Sequence, residues 1–228
     1  MFTLDQVVPW GRSFEEYRRM FALTDGDLSK NVLDCAGGPA SFNAESARRG
    51  HRVISVDPLY RWSHADIDAR IAATYAEVIS QTRANADSFV WNTIGSVDEL
   101  GRVRMEAMRT FLEDFEGGRG AGRYVEGALP TLPFGDRQFD LAVSSHFLFL
   151  YSAHFDEGFH LSGLLELCRV ATEVRVFPLL TLGGELSPHL EGCVEGLARA
   201  GFSARVVPVS YEFQRGGNAM LQIVRTAA

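Results

Sequence analysis

Residues 31–40 read NVLDCAGGPA, and this stretch is the strongest indicator of the fold class. Its apolar run ends in an acid, Asp34, and the glycines after it let the backbone turn sharply and approach a ligand closely. Residues 44–49 then predict a short helix, and residues 52–57 predict a second apolar strand. The order strand, turn, helix, strand is that of a βαβ unit, which predicts a parallel sheet.

The rest of the chain continues this alternation, and we expect a single α/β domain over residues 1–228. Further strands are predicted at residues 123–127, 139–145, 173–180, 204–213 and 219–226. Helices are predicted at residues 13–23, 63–91, 96–115, 158–170 and 187–201. The last two strands flank a tight turn at residues 215–218 and are expected to pair as an antiparallel hairpin. We expect that turn to lie at the end of the sheet away from the ligand site.

The long helices fall outside the regular alternation. Residues 1–30 are expected to form an N-terminal helical segment, and residues 61–118 a helical insertion after the second strand. The glycine-rich residues 117–122 are predicted to be a flexible joint where the insertion returns to the sheet.

The composition is that of a globular protein, with 46% hydrophobic and 22% charged residues in a chain of 228. The formal net charge of −7 argues against a nucleic-acid-binding surface spread over the molecule. The three cysteines, Cys35, Cys168 and Cys193, form no CxxC pair. We therefore expect no disulfide framework and no metal site, and a cytoplasmic location. No apolar stretch approaches the ~20 residues that a membrane-spanning helix needs, so no membrane partner is expected.

Three features together indicate a nucleoside-containing cofactor at the carboxyl ends of the strands. The first is the glycine turn itself. The second is Asp57, which ends the next strand where a carboxylate can accept both hydroxyls of a ribose. The third is the sequence LPFGDRQFD at residues 132–140, which leads into another apolar strand. A nicotinamide or flavin cofactor is disfavoured, because Gly37 and Gly38 have no third glycine in the register of GxGxxG.

These motifs resemble those of the class I S-adenosylmethionine-dependent methyltransferases, over residues 31–60 and 123–226. The resemblance implies an α/β, Rossmann-like fold with a seven-stranded, mostly parallel sheet, an antiparallel C-terminal hairpin and a helical insertion after the second strand. It also implies S-adenosylmethionine as the cofactor, with the ribose at Asp57 and Pro58 and the adenine near Leu129. The methionine end is assigned to the loop that contains Asp34, Cys35, Ala36, Gly37, Gly38 and Pro39.

The sequence departs from the family pattern at three alanines. Ala36 and Ala40 stand where the family usually has glycine, which is expected to cost little if their φ angles stay negative. Ala128 stands where an acid usually receives the adenine amino group. The adenine is therefore expected to be held by backbone groups and by apolar contacts from residues such as Leu129.

In this family the segment after the fourth strand borders the methyl-transfer site. Ser144, at the end of that strand, is assigned to the cofactor. His146 is the first candidate for a proton acceptor, and Tyr151 and His154 are further candidates. The alternative for His146 is a structural role in the wall of the cofactor pocket.

The N-terminal segment folds over the cofactor in many members of the family. Arg12 or Tyr17 is therefore expected to pair with the methionine carboxylate. The alternative is a surface arginine and a tyrosine that only packs the helix.

The resulting hypothesis is S-adenosylmethionine-dependent methyl transfer to a small molecule or a protein side chain, with the helical insertion capping the acceptor pocket. A DNA base is disfavoured as acceptor, because residues 144–147 read SSHF in place of the Asn/Asp-Pro-Pro-aromatic turn. The alternatives are a non-catalytic module that binds S-adenosylmethionine or a partner on the same fold and, with less support, a dinucleotide oxidoreductase.

Overall fold

The computed structural model describes Phe2 and residues 4–226. Within that part of the chain, seven strands form one sheet. In chain order they are β1 (Asn31–Cys35), β2 (Arg52–Val56), β3 (Tyr124–Val125), β4 (Phe139–Ser145), β5 (Ala171–Phe177), β6 (Phe202–Pro208) and β7 (Ala219–Arg225). Across the sheet their order is β3-β2-β1-β4-β5-β7-β6. Strands β1 to β5 pair in parallel, and β7 lies antiparallel between β5 and β6. The predicted fold class is confirmed.

Seven α-helices accompany the sheet in the described residues. They are α1 (Phe14–Met20), α2 (Asp25–Leu28), α3 (Phe42–Arg48), α4 (His64–Ala84), α5 (Val97–Gly120), α6 (Glu157–Val170) and α7 (Leu190–Arg199). Helix α2 was not predicted. It is a single turn with Thr24 as its N-cap. The Thr24 side chain accepts from the Asp27 amide, and the Asp27 side chain accepts from the Thr24 amide. None of the helices in the described residues has the length and apolar character that crossing a bilayer requires.

Both faces of the sheet are buried, as the parallel strands require. Ala142 of β4 contributes to a core with α6 and α7. Its neighbours Leu141 and Val143 point to the opposite face and pack with α1 and α3. This alternation follows from the period of two residues in a strand.

The two long helices between β2 and β3 have different roles. Helix α5 packs against α3 and β3, and its Phe111 and Phe115 are buried with Tyr60 and Tyr124. It therefore serves as the crossover helix between β2 and β3. Helix α4 packs on α5 and ends at Ala84, earlier than the predicted residue 91.

The predicted flexible joint at residues 117–122 is wrong, because α5 continues to Gly120. The reason is a tertiary contact. A Cβ on Gly118 would lie 2.4 Å from the ring of Tyr124, so the glycine lets helix and strand pack closely.

The turn between β6 and β7 lies at the carboxyl ends of the parallel strands, on the same side of the sheet as the glycine turn. The sequence had predicted the opposite end. The first of the two strands ends at Pro208, and the chain then crosses the carboxyl end of β5 before β7 begins. There Val90 donates a backbone hydrogen bond to Phe213, and Arg215 donates one to Ser88. The turn is thus held against the segment that links α4 to α5.

Candidate active site

The loop after β1 has two residues in the left-handed region of φ. Gly38 has φ +51°, which glycine adopts freely, and Ala36 has φ +57°. Alanine at position 36 was expected to cost little only with a negative φ, and that condition is not met. The left-handed conformation of Ala36 costs about 1–2 kcal/mol of folding free energy. Gly37 is required for another reason, since a Cβ there would lie 2.2 Å from Asp34 Oδ2.

Asp34 lies beneath this loop and not on a cavity wall. Its side chain is buried, and its two carboxylate oxygens accept hydrogen bonds from Tyr17 Oη at 3.1 Å and Ser55 Oγ at 2.8 Å. Burial raises the pKa of Asp34 to about 7, although both hydrogen bonds act in the opposite direction. In this structure Asp34 supports the loop through its hydrogen bonds, and its assignment to the cofactor stays a prediction.

Asp57 joins the ends of β1 and β2. Its Oδ2 accepts from the Gly38 amide at 3.0 Å, and its Oδ1 accepts from the Leu59 amide at 2.7 Å. Tyr60 Oη donates to the Gly38 carbonyl at 2.8 Å, so both backbone polar groups of Gly38 are hydrogen-bonded to residues that follow β2. Burial raises the pKa of Asp57 to about 6, against the effect of the two amide hydrogen bonds.

A cavity of about 440 Å³ opens above this loop, at the carboxyl ends of the strands. It brings together most of the predicted site residues, namely Arg12, Tyr17, Cys35, Ala36, Gly37, Gly38, Pro39, Asp57, Pro58, Leu129 and His146. We call this space the first cavity. Its volume falls in the ~300–1,000 Å³ range of cofactor and ligand sites.

Besides Asp34, three predicted site residues lie outside the wall of the first cavity. Ser144 is fully buried, and its hydroxyl has no hydrogen-bond partner within the described part of the chain. Tyr151 is buried and accepts a hydrogen bond from the Val8 amide at 3.3 Å. His154 is exposed, which argues against its candidacy as a proton acceptor.

His146 follows β4 with φ +54°, and its backbone amide donates to the Phe177 carbonyl at 2.7 Å. Its Nδ1 lies 2.8 Å from Ser145 Oγ. Burial, and then the charges of Arg12 and Arg104, lower the pKa of His146 well below its ordinary value. The imidazole is therefore neutral at neutral pH, and the same surroundings make it a weaker base than an exposed histidine.

A smaller cavity of about 100 Å³ lies beside the first. We call it the second cavity. Four residues, Val8, Trp10, Arg12 and His146, line both cavities. Tyr151 lines only the second, together with residues of α4, α5 and the turn between β6 and β7. His146 thus stands between two adjacent cavities.

Sequence reasoning missed Arg104, which is 1% exposed and lines the second cavity. A signal for it exists in the sequence. On α5 the apolar side chains Leu100, Met108, Phe111 and Phe115 recur at helical spacing, and Arg104 interrupts that stripe. A charged residue on the buried face of an amphipathic helix needs a buried partner or a ligand. In the described residues there is no cluster of three or more side chains suited to a metal ion.

The strand order, the glycine loop and the acid after β2 define the class I S-adenosylmethionine-dependent methyltransferase fold. The mitomycin 7-O-methyltransferase MmcR shares it, with a TM-score of 0.50 and 15% identity over 93% of this chain. The chain spans 54% of the length of MmcR. Magnesium protoporphyrin IX methyltransferase (ChlM) from Synechocystis PCC 6803, crystallised with bound S-adenosylmethionine, has a TM-score of 0.46 and 14% identity. That alignment covers 93% of this chain and 91% of ChlM.

The chain belongs to the same protein family as the uncharacterized protein MJ0045 of Methanocaldococcus jannaschii. The two are 34% identical over 223 residues, which cover 97% of this chain and 98% of that protein. No protein-family model matches the sequence.

Proposed function

We propose that this protein is an S-adenosylmethionine-dependent methyltransferase that acts on a small molecule. The observation that carries the proposal is the pair of adjacent cavities at the carboxyl ends of the strands, with His146 and Arg12 lining both. A methyl transfer between two bound molecules needs such neighbouring spaces, because the donor and acceptor must be aligned in contact.

The residues of the first cavity fit the cofactor. Asp57 follows β2 on the cavity wall, and each of its oxygens accepts one hydrogen bond from a backbone amide, which leaves lone pairs for ribose hydroxyls. A Cβ on Gly38 would have only Asp57 Oδ2 near it, at 4.0 Å, so the loop backbone is open to a ligand. Leu129 offers an apolar surface for the adenine, and the neighbouring Ala128 offers no acid to its amino group.

Tyr17 is a poor partner for the methionine carboxylate, because it already donates its hydroxyl proton to Asp34. Tyr17 lines the first cavity, and the proposal assigns the methionine carboxylate to Arg12 in preference to Tyr17. Among the described residues Arg12 forms no ion pair with a carboxylate, and it lines both cavities, so its guanidinium is available to an anion from either side.

S-Adenosylmethionine supplies an activated methyl group, whose bond to sulfur breaks as the bond to the acceptor atom forms. His146 would receive the proton that the acceptor atom loses, since it is neutral and lies between the cavities. Trp10 and other residues between positions 4 and 12 line the two cavities and would exclude water.

A small molecule fits the second cavity better than a protein side chain. Its wall is made by the N-terminal segment, α4, α5, the ends of β4 and β5, and the turn between β6 and β7. Val78 and Thr82 of α4 and Leu100 of α5 belong to it, which supports a role for the two long helices in capping the acceptor.

Calorimetric titration of the purified protein with S-adenosylmethionine, S-adenosylhomocysteine and NADH tests the proposal. We expect micromolar binding of the first two and none of NADH. Asp57→Ala should weaken S-adenosylhomocysteine binding by about 1–3 kcal/mol, because the ribose hydroxyls lose their acceptor. Asp68→Ala, on the exposed face of α4, is the matched control and should bind normally. Unchanged affinity in Asp57→Ala, or binding of NADH alone, would refute the assignment.

A further inference from the structure

The second cavity contains a buried charge network that the proposed methyl transfer does not yet use. Arg104 Nη1 donates to Glu16 Oε2 at 2.6 Å, and Tyr211 Oη donates to Glu16 Oε1 at 2.8 Å. Arg104 and Tyr211 both line the cavity. Arg104 is 1% exposed, yet its Nε has no hydrogen-bond partner in the described residues. The ion pair therefore leaves part of the guanidinium unused.

Arg12 adds a second cation to the same wall. Its Nη1 donates to the Trp10 carbonyl, and its buried Nε is also without a partner in the part of the chain that the structure describes. Burial, and then the charge of Arg104, lower the pKa of Arg12 to about 10, so it stays protonated at neutral pH. Arg12 has no carboxylate of its own among the ion pairs of the described residues.

The network carries an excess of positive charge. Burial acts to raise the pKa of Glu16, but Arg104 and the hydrogen bonds it receives lower it to about 2, so Glu16 is ionised. His146 is neutral, and Tyr151 and Tyr211 hold their protons because burial raises the pKa of both. Two guanidinium groups thus face a single carboxylate. A buried cation without a counterion is unfavourable, and an anionic ligand offsets that cost.

Apart from Thr82 and Gln214, the rest of the wall is mainly apolar and includes several aromatic side chains. It includes Leu4, Trp10, Val78, Phe89, Leu100, Leu150, Phe177, Leu182 and Phe213. Phe89 and Phe213 stack with their ring centroids 4.9 Å apart. At about 100 Å³ the second cavity is smaller than the ~150 Å³ cavity known to hold benzene, so an aromatic acid enters it only with an outward shift of residues 4–12, which form part of its wall. The wall therefore suits a small, flat, apolar body.

We propose that the second cavity binds the methyl acceptor as a small aromatic or apolar carboxylic acid, whose carboxylate pairs with Arg104 and Arg12. That the ligand is the methyl acceptor rests on the proposed methyltransferase function. Its chemical class rests on the shape and the charges of the second cavity. Guanidinium groups bind carboxylates through paired hydrogen bonds, and both unpartnered Nε atoms are donors suited to this. An acceptor held in this way would extend toward His146 at the boundary with the first cavity.

The test uses benzoate and benzamide as probes, because they match in shape and differ in charge. Calorimetric titration is done on the protein alone and on the protein saturated with S-adenosylhomocysteine. We expect benzoate to bind at least tenfold more tightly than benzamide in one or both forms. Equal affinity for the two probes would overturn the proposal and leave a merely apolar cavity.

Two variants then locate the charge. Arg12→Gln removes a cation that has no acidic partner, so the fold should be retained and benzoate affinity should fall at least tenfold. Arg104→Gln is combined with Glu16→Gln, because the single change would leave Glu16 as a buried unpaired anion. The double variant should lose benzoate affinity to the same extent and keep S-adenosylhomocysteine affinity. Arg102→Gln, on the exposed face of the same helix, is the control and should change neither.

S-Adenosylhomocysteine titrations of the same samples separate the two hypotheses. If Arg12→Gln weakens S-adenosylhomocysteine and leaves benzoate unchanged, the guanidinium serves the methionine carboxylate and the acceptor proposal fails. If the wild-type protein binds benzoate with the expected charge dependence and does not bind S-adenosylhomocysteine, the proposed function fails while the anion site stands.

Discussion

A carboxylic acid buried at the end of β1 costs stability when it ionises, and Asp34 is such a group. It is 1% exposed, and its hydrogen bonds with Tyr17 and Ser55 only partly replace the lost hydration. The Asp34 carboxylate occupies the position that a Cβ on residue 37 would need, and this close packing holds the loop in place. Asp57 holds the same loop through its hydrogen bond from the Gly38 amide. The residue supports the site by its shape and its hydrogen bonds.

This position predicts a pH dependence of stability. The pKa of Asp34 in the folded protein, about 7, lies above the ~3.9 of an exposed aspartate, so folding takes up a proton between these values. Its stabilising contribution is complete below pH 4 and is lost as the pH rises to 7, by up to about 1.4 kcal/mol per pH unit. Asp34→Asn cannot ionise. The unfolding free energy of the variant minus that of the wild type should therefore increase from pH 4 to pH 7 and then level off.

Urea denaturation followed by circular dichroism at pH 4, 5.5, 7 and 8 measures this difference. Asp68→Asn, which replaces an exposed carboxylate, should show a flat difference over the same range. A flat difference for Asp34→Asn as well would mean that the carboxylate of Asp34 is ionised throughout and that its burial is offset by its surroundings.

At the scale of the elements, local signals predicted what is local. The strand, turn, helix and strand of residues 31–56 follow from apolar runs, glycines and caps that lie within a few residues of one another. The errors lie where a distant contact overrides a local signal. Residues 117–120 contain three glycines, yet they remain helical because Gly118 packs on Tyr124. The turn after β6 was misplaced because its position depends on the pairing of β7 with β5.

Helix α4 has a separate effect on the second cavity, which gives a prediction for this element. Val78 is 4% exposed and lines the second cavity. Val78→Phe should fill the space and weaken benzoate binding at least tenfold, while S-adenosylhomocysteine binding, measured by calorimetry, stays unchanged. Ala76→Phe, on the exposed side of the same helix, adds the same side chain and should alter neither. Overpacking costs about 1–3 kcal/mol, so thermal denaturation must show that the variant is folded. Full benzoate affinity in a folded Val78→Phe protein would exclude α4 from the site.

At the scale of the whole molecule, the two cavities differ in how far sequence could reveal them. The first includes residues 35–40 and 56–59, where a short motif carries the geometry. The second joins residues of the N-terminal segment, α4, α5 and the turn after β6, which are far apart in the chain. Arg104 and Glu16 are 88 residues apart, and no local pattern relates them. Only the fold brings those charges together.

The N-terminal segment, residues 4–12, contributes to the walls of both cavities, so a bound ligand would contact it. Trp10 and Arg12 line each cavity, but the segment has few ties to the body of the protein. The Val8 amide meets Tyr151 Oη at 3.3 Å, and the Arg12 carbonyl accepts from the Ser41 amide at 3.0 Å. Close packing of Gly11 on the Pro39 carbonyl ties it to the glycine loop. A segment with so few buried hydrogen bonds opens at low free energy.

Ligand binding should therefore slow amide hydrogen exchange in residues 4–12 more than elsewhere. With saturating S-adenosylhomocysteine we expect at least a tenfold decrease in the exchange rate of this segment, measured by mass spectrometry at short labelling times. The edge strand β6, which lies at the far end of the sheet, should exchange as before at those times. Asp57→Ala at the same ligand concentration should show a smaller decrease, because less of the variant is bound. Equal slowing in β6 and in residues 4–12 would indicate global stabilisation alone. No slowing in residues 4–12, with binding verified by calorimetry, would mean that the ligand enters by another route and that the segment does not close over it.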